Sequence, residues 1–306
     1  VKHWPAGYRI PSGLLLYIPH SRQKAYDPYL GTAGGGLMRA ADKVFAGAIP
    51  DIYDRLMVPM IFEPYAQDLA GRVASLEPRH VLEVAAGTGV LTRAMVRRLD
   101  AQTRIDATDL NQAMLDLAQS RLSDSRIAWQ VADALALPFD SETFDVVACQ
   151  FGVMFFPDKI EGYKEACRVL KPGGRYLFNV WDSLATSDFP QAISSALEKL
   201  FPDDPPQFMA RTPHGYHDET TIRSELASAG FKSVEFETLG KTSRANSARD
   251  AATAFCQGTP LRKEIEARSP SGLEAATEHA AQALERKFGT GAIEGRIMAH
   301  VITAVR

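Results

Sequence analysis

The sequence predicts an α/β protein built on a doubly wound, mostly parallel sheet. From residue 80 onward, apolar runs of strand length alternate with amphipathic runs of helix length. The run Phe144-Asp145-Val146-Val147-Ala148-Cys149 is almost continuously apolar, as a strand covered on both faces must be. The stretch Val81-Leu82-Glu83-Val84-Ala85-Ala86-Gly87-Thr88-Gly89 passes from an apolar run through small residues into a helical pattern at Val90. That is a strand, a turn and a helix, the unit that offers backbone N–H groups to a ligand.

The elements follow in order. Residues 1–36 contain Gly34-Gly35-Gly36, scattered prolines and no sustained period, and are expected to form a poorly ordered extension. The chain opens on valine and the first regular pattern opens at Met38, so a translation start at that methionine is a hypothesis; a peptide map finding Val1 in the native protein would remove it. Residues 37–76 read as a helical cap, with Pro59 and Pro64 expected to divide it. Strands are expected at His80–Val84, Arg104–Thr108, Ile127–Val131, Phe144–Gln150 and Arg175–Trp181, with helices at Leu91–Leu99, Gln112–Leu122 and Lys159–Leu170. Pro172-Gly173-Gly174 should stop the last of these helices and turn into the next strand. Phe189, Ile193, Leu197 and Phe201 then recur every four residues, a one-faced helix ended by the Pro-Asp-Asp-Pro-Pro run at 202–206. A helix over Glu219–Ala229, a half-wet strand through Val234, Phe236 and Thr238, helices over 248–288 and a closing strand at His300–Val305 complete the chain.

Composition bounds the function. With 306 residues, 45% apolar and 23% charged content and a formal charge of −3, the chain resembles an ordinary soluble, cytoplasmic protein. No basic stripe favours nucleic acid and no run is long enough for an integral membrane segment. Cys149, Cys167 and Cys256 lie far apart, which fits buried or half-buried thiols and no metal site.

Four strand ends carry the chemistry. Glu83 ends the first strand, Asp109 the second, Asp133-Ala134 follow the third, and Gln150-Phe151-Gly152 close the fourth. Doubly wound sheets bind ligands at such carboxyl ends, and an acid about twenty residues past the glycines can hold ribose hydroxyls. A nicotinamide dinucleotide fits poorly. The third glycine of its loop is missing, and Glu83 would sit against a pyrophosphate. A nucleoside carrying an amino acid in place of phosphates fits better.

The first motif, Glu83 to Gly89, resembles that of class I S-adenosylmethionine-dependent methyltransferases. Asp109 with Asn111 and Met114-Leu115 is similar to the second-strand motif, Asp133-Ala134-Leu135-Ala136-Leu137-Pro138-Phe139 to the adenine-binding segment, and Phe144-Asp145-Val146-Val147 with Val169-Leu170-Lys171-Pro172-Gly173-Gly174 to the motifs around the fourth and fifth strands. The nearest resemblance is to the ubiquinone/menaquinone-biosynthesis C-methyltransferases. It implies a Rossmann-like sheet of seven strands, the last antiparallel, with added helical lid segments. The single domain would span 37–306: a cap at 37–76, a cofactor-binding core at 77–182, a lid insertion at 183–217 and a C-terminal part at 218–306. It implies S-adenosyl-L-methionine as cofactor. Glu83 would hold the methionine ammonium, with Ala85, Gly87 and Gly89 lining the loop beneath. Asp109 would take the ribose hydroxyls, and Leu110 and Met114 would flank the adenine. Asp133 and Ala134 would read the adenine edge, and Gln150 and Phe151 would border the sulfonium. Ala85 replaces a frequent glycine, a mild change if its φ is negative, and Asn111 could cap the next helix.

Methyl transfer needs a nucleophile held in line and water excluded; it calls for no metal, and for a base only if the acceptor must lose a proton. Tyr53, His214 and His217, with Tyr65 and Tyr216, are the polar candidates. Phe155 and Phe156 read as core aromatics. The helical segments 37–76, 183–217 and 248–288 are expected to wall an acceptor pocket framed by Tyr53, Met57, Phe62, Phe189 and Phe208, suited to a small apolar or aromatic acceptor. A cofactor-binding sensor or scaffold without transfer is the alternative, a nucleotide-sugar or NAD enzyme on a similar sheet is a third reading, and a homodimer is held open.

Overall fold

Seven strands form one sheet in the order β3-β2-β1-β4-β5-β7-β6. They are β1 His80–Val84, β2 Arg104–Asp109, β3 Ile127–Val131, β4 Phe144–Gln150, β5 Leu170–Trp181, β6 Ser233–Ala245 and β7 Ile293–Val305. β1 to β5 pair in parallel, and β7 runs antiparallel to both β5 and β6. The computed structural model describes residue 42, residues 49–269 and residues 272–306; the expected extension at 1–36 and most of 37–48 lie outside these. Strand order reverses between β1 and β4, so a crevice opens at their carboxyl ends.

The apolar runs of β1 and β4 are buried on both faces: Val81, Leu82, Val146, Val147, Ala148 and Cys149 are each at most 1% exposed. On one face Val81, Ile105 and Val146 pack with Leu69 and Val73 of α2 (Glu63–Ala74) and with Leu91 and Met95 of α3 (Val90–Val96). On the other face Leu82, Val147 and Phe178 pack in the larger core, which includes Tyr163 and Val169 of α5 (Lys159–Val169). Each such side chain contributes about 1.5–3 kcal/mol on burial. β5 starts earlier than expected. Leu170 pairs with Phe144 and Arg175 with Val146, so the Pro172-Gly173-Gly174 turn loops out within the strand. α4 is Gln112–Arg121.

The cap departs from the sequence reading. α1 (Ile49–Ile52), a π-helical segment over Tyr53–Phe62 and α2 run on without a break, and neither proline divides them. Pro64 falls at the start of α2, directly after the π segment. Pro59 lies inside the π segment, where the Glu63 N–H donates to the Val58 carbonyl five residues back. The wider turn absorbs the proline that an α-helix would not.

Tyr65 of α2 is fully buried, and its hydroxyl donates to the carbonyls of Leu239 on β6 (2.9 Å) and Ile297 on β7 (3.0 Å). This candidate is therefore a structural tie between cap and sheet. Tyr65→Phe should lower stability by about 1–2 kcal/mol in urea unfolding, with cofactor affinity unchanged. The remaining helices are α6 Asp188–Leu200, α7 Phe208–Arg211, α8 Glu219–Ser228, α9 Ala248–Gln257, α10 Leu261–Arg268 and α11 Leu273–Phe288. Among the described residues no helix is long and apolar enough to cross a membrane. Cys149 and Cys256 are buried and Cys167 half-buried, all free thiols.

Candidate active site

The loop after β1 forms the floor of the crevice. Ala85 adopts φ +56°, not the negative value under which its replacement of glycine would be mild. The neighbouring chain makes room for it: a Cβ on Gly152, at the end of β4, would stand 2.5 Å from the Ala85 methyl. The Ala86 N–H donates to the Thr108 carbonyl at 2.9 Å. The Gly87 N–H donates to Asp109 Oδ2 at 2.9 Å, which fastens the loop to the tip of β2. Gly89, at φ +77°, caps α3 and faces away from the crevice. A Cβ there would meet Trp129 at 3.1 Å and Ala118 at 3.2 Å, so this glycine serves helix–sheet packing.

A cavity with about 780 Å³ of empty space, partly open to solvent, lies above this floor. Ala85, Gly87, Asp109, Leu110, Met114, Asp133, Ala134, Gln150 and Phe151 all line it; Glu83 and Gly89 do not. Asp109 is 7% exposed, and its Oδ1 accepts the Asn111 N–H at 2.8 Å. Burial raises its carboxyl above the usual range, while the N–H groups of Asn111 and Gly87 pull it back down. Asn111 does not cap α4 with its side chain; its amide turns back to Asp109 Oδ1 at 3.3 Å. Leu110 is 47% exposed at the rim, whereas Met114 is both core residue and cavity wall. Asp133 Oδ1 accepts the Leu135 N–H at 3.0 Å, fixing its side chain at the tip of β3.

Glu83 lies behind the wall, and Thr92 donates to it at 2.6 Å. Burial pushes its carboxyl up to about 8, against the Thr92 hydrogen bond and Arg93, which lower it. The native state therefore holds a proton that the unfolded chain releases near pH 4.3. This contribution to stability is full below the unfolded pKa and is lost as pH rises through about 8. The ligand-free protein should lose stability between pH 5 and 8 more steeply than Glu83→Gln, as read by thermal unfolding across that range.

A second cavity, with about 510 Å³ of empty space, adjoins the first, and Tyr53, Phe151 and Phe155 line both. Phe151 holds φ +54°, unusual for a bulky residue. Its surroundings fix it there. Its ring stacks on Trp181 at 3.6 Å, its edge contacts include Phe62 and Tyr65, and its N–H donates to the Asn179 carbonyl. Backbone strain held by such packing is a feature of functional positions. Met57, Phe62 and Phe208 also line the second cavity, but Phe189 does not; its ring packs on Phe288 and fills the space beside Gly295. Walls the sequence reading missed are Trp181, Pro213 and Phe255 here and Pro157 in the first cavity, while Phe155 and Phe156, read as core, line the first cavity as well. Trp181 sits at the tip of β5, the same strand-end signal that marked Asp109 and Gln150.

The polar candidates separate. Tyr53 borders both cavities; burial, Asp109 and Asp54 all raise its phenol and keep it protonated. His214 is 4% exposed and lines the second cavity. His217 is half-buried and lines neither cavity. Tyr216 is spent in a buried cluster with Tyr163 (3.0 Å) and the Glu225 carboxylate.

Relatives include the ubiquinone/menaquinone biosynthesis C-methyltransferase UbiE of Idiomarina loihiensis, 30% identical over 205 residues, which cover 62% of this chain and 80% of that one. The demethylmenaquinone methyltransferase of Clavibacter sepedonicus is 31% identical over 180 residues, covering 55% and 71%. Among solved structures, a putative methyltransferase of Bacillus halodurans superposes with a TM-score of 0.51 at 20% identity, over 78% of this chain and 97% of that one. Haemonchus contortus phosphoethanolamine N-methyltransferase 2, in complex with phosphomonomethylethanolamine and S-adenosylhomocysteine, gives 0.54 at 16% identity, over 85% and 56%. These two share the fold. A family model matches residues 42–247, from the cap through the whole of β6, and so takes in both cavities' shared wall: the chain belongs to the ubiE/COQ5 methyltransferase family.

Proposed function

We propose that the protein transfers the methyl group of S-adenosylmethionine to a small apolar or aromatic acceptor by in-line displacement. The observation that carries this is the pair of adjoining cavities, one rimmed by fixed carboxylates and the other by aromatic rings, with Tyr53, Phe151 and Phe155 as their common wall. The chain's residues suit the cofactor. Asp109 Oδ2 keeps a lone pair for one ribose hydroxyl beyond that used by Gly87, a second hydroxyl would replace the long Asn111 amide contact at Oδ1, and Leu110 and Met114 offer an apolar bed for a base. Asp133 offers an acceptor at the tip of β3 for an amino group. Glu83 stands behind the wall formed by its neighbours Val84 and Ala85; it is protonated in the ligand-free protein, and a bound ammonium nearby would draw off that proton and face the resulting carboxylate through water.

The bound cofactor supplies an electrophilic methyl on sulfur. The protein's part is placement: aromatic walls fix the acceptor plane, and exclusion of water leaves one nucleophile in reach. Orientation of this kind is worth on the order of 7–11 kcal/mol in favourable cases. The relatives' names point to quinone-type rings, and Phe62, Phe151, Trp181 and Phe208 form walls suited to a flat ring. Calorimetry with S-adenosylmethionine, S-adenosylhomocysteine and NAD tests the first half; both adenosyl compounds should bind, and binding of NAD alone would overturn it. Transfer of a labelled methyl across a panel of quinols and phenols tests the second. Binding without transfer to any of them would favour a sensor.

A further inference from the structure

The imidazole of His214 is buried in the wall of the apolar cavity, and its two nitrogens have different fates. Nδ1 stands 2.7 Å from the carbonyl oxygen of Asp182. A carbonyl only accepts, so Nδ1 carries the proton and Nε2 is left with a bare lone pair. Nε2 has no hydrogen-bond partner among the described residues. The ring is held in place. The backbone N–H of His214 donates to the Met209 carbonyl at 3.0 Å, and the Trp181 indole lies 6.3 Å from the imidazole, itself stacked on Phe151. Other polar side chains in this wall are engaged elsewhere: the Thr259 hydroxyl donates to the Phe255 carbonyl at 2.7 Å, and Tyr53 feels the Asp109 and Asp54 charges.

We propose that Nε2 of His214 accepts a hydrogen bond from a hydroxyl carried by an otherwise apolar acceptor, and so selects hydroxylated rings over plain ones. This rests on the acceptor-cavity reading above. His214 borders the acceptor cavity alone, whereas Tyr53, Phe151 and Phe155 border both, so the hydroxyl it reads lies away from the atom that takes the methyl. Asp182 favours the charged ring through both its carbonyl and its carboxylate, though the carboxylate also accepts from the Ser183 N–H (2.6 Å) and faces His300 (3.4 Å); His217 disfavours it. Burial is the main reason the imidazole is lowered to about 4, so the lone pair is available throughout the neutral range.

The test uses 1-naphthol and naphthalene as paired probes on the ligand-free protein, with binding read from calorimetry and tryptophan fluorescence. Wild type should prefer 1-naphthol by about tenfold, the worth of one buried hydrogen bond. His214→Phe should bind both probes alike, while His214→Gln, whose side-chain carbonyl can replace Nε2, should keep part of the preference. The wild-type preference should be flat from pH 8 to 5 and fade as pH falls through about 4. S-adenosylhomocysteine titration shows that each variant is folded, because its cavity lies beyond Phe151. Equal affinities in wild type, or a preference surviving in His214→Phe, would overturn the assignment. Failure of both probes to bind would instead sink the apolar-acceptor reading, and this proposal with it.

Discussion

Asp109→Lys should abolish S-adenosylhomocysteine binding, and Asp109→Asn should weaken it by about 100-fold or more. Each oxygen of this carboxylate is aimed by one backbone N–H, Oδ2 by Gly87 and Oδ1 by Asn111, at the edge of the larger cavity; Oδ2 has a lone pair to spare, and at Oδ1 a ribose hydroxyl need displace only the 3.3 Å contact from the Asn111 amide. Hydrogen bonds from ribose hydroxyls to a fixed carboxylate are worth about 1.5–3 kcal/mol each, so losing the charge and one acceptor forfeits about 3 kcal/mol. An asparagine also turns an NH2 group toward either the Gly87 or the Asn111 N–H, and two donors then face each other. The lysine removes both acceptor oxygens and puts a long cationic side chain in the space the ribose would fill. Calorimetry reads the affinities, and thermal unfolding shows that the variants are folded. Parent-like affinity in Asp109→Asn would end the reading of this residue as the ribose ligand.

Much of this site was legible because a parallel sheet puts its functional side chains at strand tips. The ends of β1 to β4 could be placed from apolar runs alone, and the residues just beyond them line one cavity. What the sequence hid depends on partners distant along the chain. Gly87 and Gly89 read alike locally, yet Gly89 is a glycine because Trp129 and Ala118 close over it. Pro59 obeys no local helix rule, because the π segment that holds it is stabilised by Met57, Met60 and Ile61 packing into the core. His214 and His217 are three residues apart in one loop, and only the turn that follows α7 buries one and leaves the other half-open. Phe189 belongs to a helical stripe that faces inward as expected, but toward Phe288 and not toward the acceptor cavity.

Gly152→Ala should destabilise the protein by about 2–3 kcal/mol, the scale of overpacking in a filled core, and Ala85→Gly should restore part of that. The new methyl would stand 2.5 Å from the Ala85 methyl and 2.7 Å from Cys149 Sγ, closer than carbon and sulfur atoms tolerate. Ala85 itself sits at φ +56°, a strain of about 1–2 kcal/mol for an L residue. Glycine at 85 relieves this strain but loosens the unfolded chain by about 0.4–1 kcal/mol, so the single change Ala85→Gly should be close to neutral. In the double variant the carbon–carbon clash is gone and the Cys149 contact remains. A double-mutant cycle in urea should therefore show a coupling of about 1 kcal/mol or more between positions 85 and 152. The two residues also frame Phe151, the strained ring between the cavities, so Gly152→Ala should weaken S-adenosylhomocysteine binding by about tenfold in parallel with stability. Strictly additive energies would mean that the β1 loop and the β4 tip can move apart freely. The shared wall on which methyl transfer depends would then not be rigid enough to align its two ligands.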